Sequence, residues 1–191
     1  MPKHVLIING NPDPAPERLT SALAKAYHDG AKAGGAIVQQ INIGALDFPL
    51  LRTAQEFVAA PAEAAIVAAR AQILEANHLV FIYPLWLGGV PALLKAFMEQ
   101  VSRGGFALST GAHGLPAGNL KGRSARVIVT MGMPASVYRL WFGALGVRAF
   151  NRSILGISGI RPNVTTYLGA LSAPRCLKWI ERVRRMGRRT E

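Results

Sequence analysis

The sequence predicts an α/β sandwich of three layers: one five-stranded parallel sheet in the order 2-1-3-4-5, with helices on both faces. Two observations carry this. Short β-branched or apolar runs alternate along the chain with segments whose apolar residues recur at helical spacing, and loops rich in Gly and Pro separate them. Half of the 191 residues are hydrophobic and 17% are charged, a size and balance suited to one core and hence to a single domain over residues 1–191. Alternating strands and helices with right-handed connections leave few topologies, and the 2-1-3-4-5 order is the simplest of them.

The elements follow in order. His4 to Asn9 reads as strand one, and the loop after it, through Pro16, holds three prolines that keep it out of helix. Leu19, Leu23, Ala26 and Tyr27 mark a helix that Gly34 and Gly35 end. Ala36 to Ile43 is strand two, Gly44 to Pro61 a long connection with room for a local turn, and Ala62 to Ala76 a helix facing inward through Ile66, Ala69 and Ile73. Leu79 to Tyr83 is strand three. After the turn Pro84 to Val90, Pro91 sits at the first helical position, where a missing N–H costs nothing, and Leu94, Phe97, Met98 and Val101 form the buried stripe. Ser102 to Ser124 contains six glycines and is too long for a passive connector. Ala125 to Met131 is strand four. Pro134 to Ile157 is expected to hold a helix with Val137, Leu140, Trp141, Ala144 and Leu145 on one side. Val164 to Leu168 is strand five, and Ser172 caps a last helix that Pro174 opens.

Composition narrows the function classes. The apolar runs are far shorter than the ~20 residues of a bilayer span, and the start of the chain lacks a signal-peptide pattern, so a soluble cytoplasmic protein is expected. A single cysteine, Cys176, and no Cys or His pair at ligand spacing argue against a disulfide framework or a structural metal. The net charge of +12 is lopsided: residues 1–100 hold 7 Lys or Arg against 8 Asp or Glu, and residues 101–191 hold 15 against 2. That excess suggests an anionic partner. Nucleic acid ranks low, because no recognition module accompanies the charge.

In the expected sheet order the ligand crevice lies at the carboxyl ends of strands one and three, where the winding reverses. Arg18, Thr20 and Ser21 at the first helix start, with Asn11 of the preceding loop, offer hydroxyls, backbone N–H groups and a cation for a phosphate. Simple capping of the helix by Thr20 or Ser21 is the plainer alternative. There is no G-x-G-x-x-G, and Gly118 to Ser124 has Arg in place of the P-loop Lys and the wrong glycine spacing. Neither a dinucleotide fingerprint nor a P-loop is present.

The stretch YPLWLGGVPALLKAFMEQV, Tyr83 to Val101, resembles the NAD(P)H:quinone oxidoreductases of the flavodoxin-like superfamily. It is most similar to the bacterial branch that includes modulator of drug activity B and the ancillary oxidoreductases of potassium efflux systems. The resemblance extends through Arg103 to Ala107, Leu120 to Gly122, Val129 to Pro134 and Ile154 to Pro162, and so over most of the chain. It implies a flavoprotein in which Pro84, Leu85, Trp86 and Leu87 lie against the flavin ring, Thr130, Met131, Gly132 and Met133 form the neighbouring loop, and Thr20 and Ser21 hold the phosphate. It also places Tyr138 near the family's substrate-facing tyrosine. This chain departs from the family at Trp86-Leu87, where many members have Gln-Trp, and at Thr130-Met-Gly132, where they have Thr-Gly-Gly.

The activity implied is NAD(P)H-dependent reduction of a quinone or similar small electrophile by ping-pong hydride transfer, in a homodimer. FAD is the expected flavin, after the resemblance and the long loop Ser102 to Ser124, with FMN as the alternative. His113, in that loop and expected near the crevice, is a candidate proton donor to the reduced acceptor, and a solvated loop histidine is the plainer reading. Arg103, Arg123 and Arg139 are candidates for pairing with the 2′-phosphate of NADPH. The last helix shows an apolar side of Cys176, Trp179, Ile180 and Val183 beneath a basic face, which is either simply solvated or attracted to anionic lipid or to a membrane transport protein. A flavin-binding regulatory subunit of a transport system and a one-electron flavodoxin-type carrier are the rival functions. The positive charge speaks against the carrier.

Overall fold

The computed structural model describes residues 2–111 and 114–190. Its main sheet contains β1 (His4–Asn9), β2 (Ile37–Asn42), β3 (His78–Pro84), β6 (Ser124–Thr130) and β7 (Asn163–Leu168), in the order β2-β1-β3-β6-β7 and parallel throughout. With the two short extra strands set aside, this is the expected 2-1-3-4-5 order. The extra pair, β4 (Leu108–Thr110) and β5 (Pro116–Gly118), forms an antiparallel hairpin inside the long glycine-rich connection.

The central strands are apolar in both directions, as a sheet covered on both faces requires. Val5 and Ile7 of β1, with Val80 and Ile82 of β3, face one layer, where they meet Leu23 and Tyr27 of α1 (Leu19–Ala33) and Val183 and Met186 of α7 (Ala173–Arg189). Leu6 and Ile8, with Leu79 and Phe81, face the other layer. There they meet Ile66 and Ile73 of α3 (Ala64–Glu75), Leu94 and Phe97 of α4 (Ala92–Ser102), and Phe150. The ring of Phe150 meets Phe81 and Tyr83 edge-on at 5.3 and 5.7 Å, contacts worth about 0.5–1.5 kcal/mol each beyond the area they bury.

The long connection after β2 carries a 3-10 turn, Ile43–Ala45, and a short helix α2 (Ala54–Val58), which Thr53 caps by accepting from the Glu56 N–H at 3.2 Å. Pro91 is the N-cap of α4, one position before the expected first turn. Ser172 is the N-cap of α7, but its side chain makes no capping bond; its carbonyl accepts from the Cys176 N–H.

Two expectations about helix faces need correction. Pro134 to Ile157 is broken into α5 (Ala135–Leu140), α6 (Leu145–Ala149) and a π-helical segment, Phe150–Gly156. Gly143 and Ala144 have positive φ, so the helical period restarts between α5 and α6. As a result Val137, Leu140, Trp141 and Leu145, expected inside, are exposed, while Ala144, Tyr138, Val147, Phe150 and Leu155 are buried. In α7 the buried residues are Val183, Met186 and Gly187, with Trp179, Ile180 and Cys176 only partly covered. A Cβ on Gly187 would lie 2.2 Å from the Tyr27 carbonyl oxygen, so α7 and α1 cross almost backbone to backbone on a narrow strip. No helix among the described residues is long and apolar enough to cross a membrane.

Candidate functional site

At the carboxyl edge of the sheet, adjacent strands deliver three loops side by side. The Gly10 N–H bonds the Ile82 carbonyl at 2.7 Å, and the Leu85 N–H bonds the Thr130 carbonyl at 2.8 Å, so the ladder runs one step beyond β1, β3 and β6 before the loops part. This is the switch point, because β1 and β3 are neighbours whose connections leave in opposite directions.

The middle loop is a tight hairpin. Trp86 and Gly89 exchange both backbone bonds, at 3.1 and 2.9 Å, and the two residues between them have φ of +46° at Leu87 and +78° at Gly88. That is type I′ geometry, with both central residues left-handed. Glycine adopts it freely, whereas leucine is strained there by about 1–2 kcal/mol. The strain is held from behind: the Tyr138 hydroxyl donates to the Gly88 carbonyl at 2.8 Å and accepts from the Val147 N–H at 3.4 Å. Gly146 comes so near that a Cβ there would lie 2.1 Å from the same carbonyl.

Tyr138 is therefore a support for the turn. Expected to face a substrate, it is instead buried, with its hydroxyl used in both directions and its acidity weakened by burial. The turn's own donors are limited as well. Pro84 has no N–H, and those of Leu85 and Trp86 are spent inside the protein. The N–H groups of Leu87 and Gly88 have no acceptor among the described residues. The Leu87 side chain is fully exposed and Trp86 half exposed.

The first loop is organised by side-chain amides. Asn11 donates from Nδ2 to the Thr20 hydroxyl at 2.9 Å and accepts from the Asp13 N–H at 3.1 Å. Thr20 is buried and accepts this bond, which leaves its own hydroxyl proton to donate. The Ser21 hydroxyl already donates to the Ala15 carbonyl at 3.1 Å. Arg18 is paired with Asp13 at 2.6 Å. The Ala15 N–H, and after it Arg18, holds the Asp13 carboxyl below its ordinary range. An anion here would be met by Thr20 and the first-turn N–H groups of α1, with the Arg18 charge already balanced by its neighbour.

In the third loop Thr130 and Met131 are buried and tied to Leu85 and Leu168, whereas Gly132 has open space about its Cα and Met133 is partly exposed. The structure thus gathers the candidates Asn11, Arg18, Thr20, Ser21, Pro84 to Leu87 and Thr130 to Met133 along one edge. Gly88 and Gly146 are not among the candidates that the sequence names one by one. Gly88 lies next to the chosen residues, but no local signal marks Gly146, whose neighbour is distant in the chain.

The glycine-rich connection lies elsewhere. Its hairpin is anchored by Leu120 N–H to the Ser158 carbonyl at 2.9 Å, and the segment after it by Arg161 N–H to the Arg123 carbonyl at 2.8 Å, both at the amino end of the sheet. The base of the connection is therefore fixed away from the crevice, and His113 lies outside the described residues. Two of the three arginines expected at the cleft are also structural. Arg103 is buried and binds the Glu56 carbonyl at 2.7 Å, Gln100 at 2.9 Å and Glu63 at 3.2 Å. Arg123 binds the Ile73 and Leu74 carbonyls at the end of α3. Arg139 alone stays at the carboxyl edge, over the Tyr167 ring at 5.7 Å. His78 is buried between the hydroxyls of Tyr27 and Ser124, at 3.1 and 2.7 Å, as a packing histidine. Among the described residues no group of His, Cys, Asp and Glu could hold a metal ion.

Comparison with known proteins agrees with this architecture. A family model described as flavodoxin-like fold matches residues 3–185. The FMN-dependent NADH:quinone oxidoreductase of Bordetella petrii is 30% identical over 106 residues, 56% of this chain and 45% of that protein. The glutathione-regulated potassium-efflux system ancillary protein KefG of Salmonella paratyphi B is 38% identical over 71 residues, 37% of this chain and 36% of its own length. The chain thus spans less than half the length of these relatives. In structure, the NAD(P)H:quinone oxidoreductase of Methanothermobacter marburgensis superposes over 100% of both chains with a TM-score of 0.83 at 20% identity, a likeness of fold. The flavin in the Bordetella protein's name is FMN, not the FAD expected from the sequence. With the match over residues 3–185 and the 2-1-3-4-5 sheet, this chain belongs to the flavodoxin-like fold family that includes the NAD(P)H:quinone oxidoreductases.

Proposed function

We propose that this protein is an FMN-dependent NAD(P)H oxidoreductase that reduces small quinone-like electrophiles. The observation that carries this reading is the Trp86 to Gly89 turn, braced by Tyr138 and Gly146, with the Leu87 and Gly88 N–H groups unspent at the switch point beside Thr20. Backbone donors of this kind suit the carbonyls and ring nitrogen of an isoalloxazine, because they recognise it without adding charge. Thr20 and the α1 amino terminus suit the FMN phosphate, and the exposed Leu87 and Trp86 side chains suit the ring surface. When bound, the flavin supplies hydride exchange between nicotinamide and acceptor in two separate half-reactions.

The protein's own contribution is position and exclusion of water, so no protein nucleophile is required. FMN is favoured over FAD by the relative's name and by the long connection, whose base is tied to the other end of the sheet. Arg139 is the remaining cation for the 2′-phosphate of NADPH. The family resemblance supports a homodimer and a cytoplasmic site of action. Purified protein loaded with FMN should oxidise NADPH rapidly only when a benzoquinone is supplied, with the parallel-line kinetics of a ping-pong cycle. An FMN-loaded protein showing no quinone-dependent oxidation contradicts the proposal.

A second reading follows from the match to KefG, which is by name an ancillary protein of a potassium-efflux system. In that reading the flavin domain regulates a membrane transporter and turnover is secondary. Recovery with membranes at low salt and release at high salt, combined with slow quinone turnover, would favour it.

A further inference from the structure

The corner where α5 turns into α6 exposes an apolar surface that the fold leaves uncovered. Leu140 and Trp141 are 85% and 84% exposed, Leu145 is 68% and Phe142 is 51%. The Tyr138 and Gly146 contacts to Gly88 set this corner directly against the turn bearing exposed Leu87 and Trp86. Single exposed apolar residues are ordinary, but a cluster of large ones marks a site of interaction. The cluster straddles the break between α5 and α6, where Gly143 and Ala144 have positive φ.

The surrounding charge is of one sign. Residues 101–180 contain ten Lys or Arg and no Asp or Glu. Arg139, Arg148 and Arg152 flank the corner on α5, α6 and the π-helical segment, and none forms a salt bridge among the described residues. The start of α7 adds exposed Arg175 and Lys178, and the bond from the Ala170 N–H to the Met133 carbonyl ties that end of the chain to the loop leading into α5.

We propose that the Leu140 to Leu145 corner inserts into an anionic lipid surface, with Arg148 and Arg152 on the headgroups. Stable peripheral binding takes two signals, apolar insertion and basic attraction, and this face holds both. Tryptophan and phenylalanine on a projecting corner suit the headgroup boundary, where an amphipathic ring keeps one edge wet. The proposal does not rest on the flavin reading. It would nevertheless open the crevice toward a surface in which lipid-soluble acceptors dissolve.

The test is sedimentation of the protein, as purified, with phosphatidylcholine vesicles and with vesicles containing about one third phosphatidylserine. Binding to the anionic vesicles alone, weakening as salt rises, is the expected result. Leu140→Ser with Trp141→Ser should lower partitioning by about tenfold or more. Leu177→Ser, an exposed leucine on α7, should leave it unchanged, and all three positions are exposed enough for folding to survive. FMN binding measured on the same preparation separates this outcome from the flavin proposal. No binding to anionic vesicles, or equal binding by the doubly substituted protein, overturns the inference. So does light scattering that shows a dimer which the double substitution splits into monomers, or retention on an acidic protein without vesicle binding.

Discussion

The turn Trp86 to Gly89 and the hairpin Leu108 to Gly118 lie beyond opposite ends of the same helix, α4, and both are rich in glycine. The turn is short, strained at Leu87 and braced by residues distant in the chain, and it leaves two backbone donors unspent. The hairpin is long, and its described residues bond to one another and to the segment before it: the Ser109 hydroxyl donates to Asn119 at 2.9 Å, and Asn119 donates to the Gly105 carbonyl at 2.8 Å. Its base is fixed at the amino end of the sheet. The contrast teaches that loop length and glycine content are weak guides to a site, and that location at the switch point and unspent donors are better ones.

The largest effect that would break this contrast comes from Gly146→Val. The new side chain would overlap the Gly88 carbonyl, displacing the turn at a cost of about 1–3 kcal/mol and lowering FMN affinity by about tenfold or more. Chemical denaturation and flavin titration read the two effects separately. Tyr138→Phe should act in the same direction but less strongly. It leaves the buried Val147 N–H and the Gly88 carbonyl without their partner, for a loss of about 1–3 kcal/mol and a weaker hold on FMN. Ser109→Ala in the hairpin should leave FMN affinity within about twofold, since it touches only the far region. If the hairpin substitution weakened flavin binding as much as Tyr138→Phe, the distinction between the two loops would fail.

The smallest expected effect lies beneath the turn. The Tyr83 hydroxyl is buried without a hydrogen-bond partner, and burial drives its acidity far down. Tyr83→Phe removes an unsatisfied polar atom while keeping the edge-on contact with Phe150, so stability should hold or rise by up to about 1 kcal/mol. A clear loss in the denaturation midpoint would mean that this hydroxyl has a partner in solution.

Strand positions and sheet order were legible because β1 and β3 hold continuous apolar runs and β6 one interrupted by Arg126, the pattern that a doubly covered parallel sheet requires. The crevice followed from that order. What the sequence concealed was decided by backbone geometry between distant residues. The sequence expects a helix within 134–157 with Val137, Leu140, Trp141, Ala144 and Leu145 on its inner side, but the chain breaks at Gly143 and Ala144 and only Ala144 of these is buried. Tyr138 fits a substrate-facing role by position, yet its partners, Gly88 and Val147, emerge only once α5 and α6 fold over the turn. Arg103 and Arg123 read as free cations because the carbonyls they bind belong to α2, α3 and their connection.

The central claim, that the turn after β3 faces FMN, is tested most directly by titrating FMN into the purified protein and following tryptophan fluorescence. The structure predicts saturable binding with quenching that falls sharply in Trp86→Phe, since Trp86 is the tryptophan on the turn itself, with Trp141 on the neighbouring corner and Trp179 on α7. Absence of saturable binding, or quenching unchanged by Trp86→Phe, would contradict it.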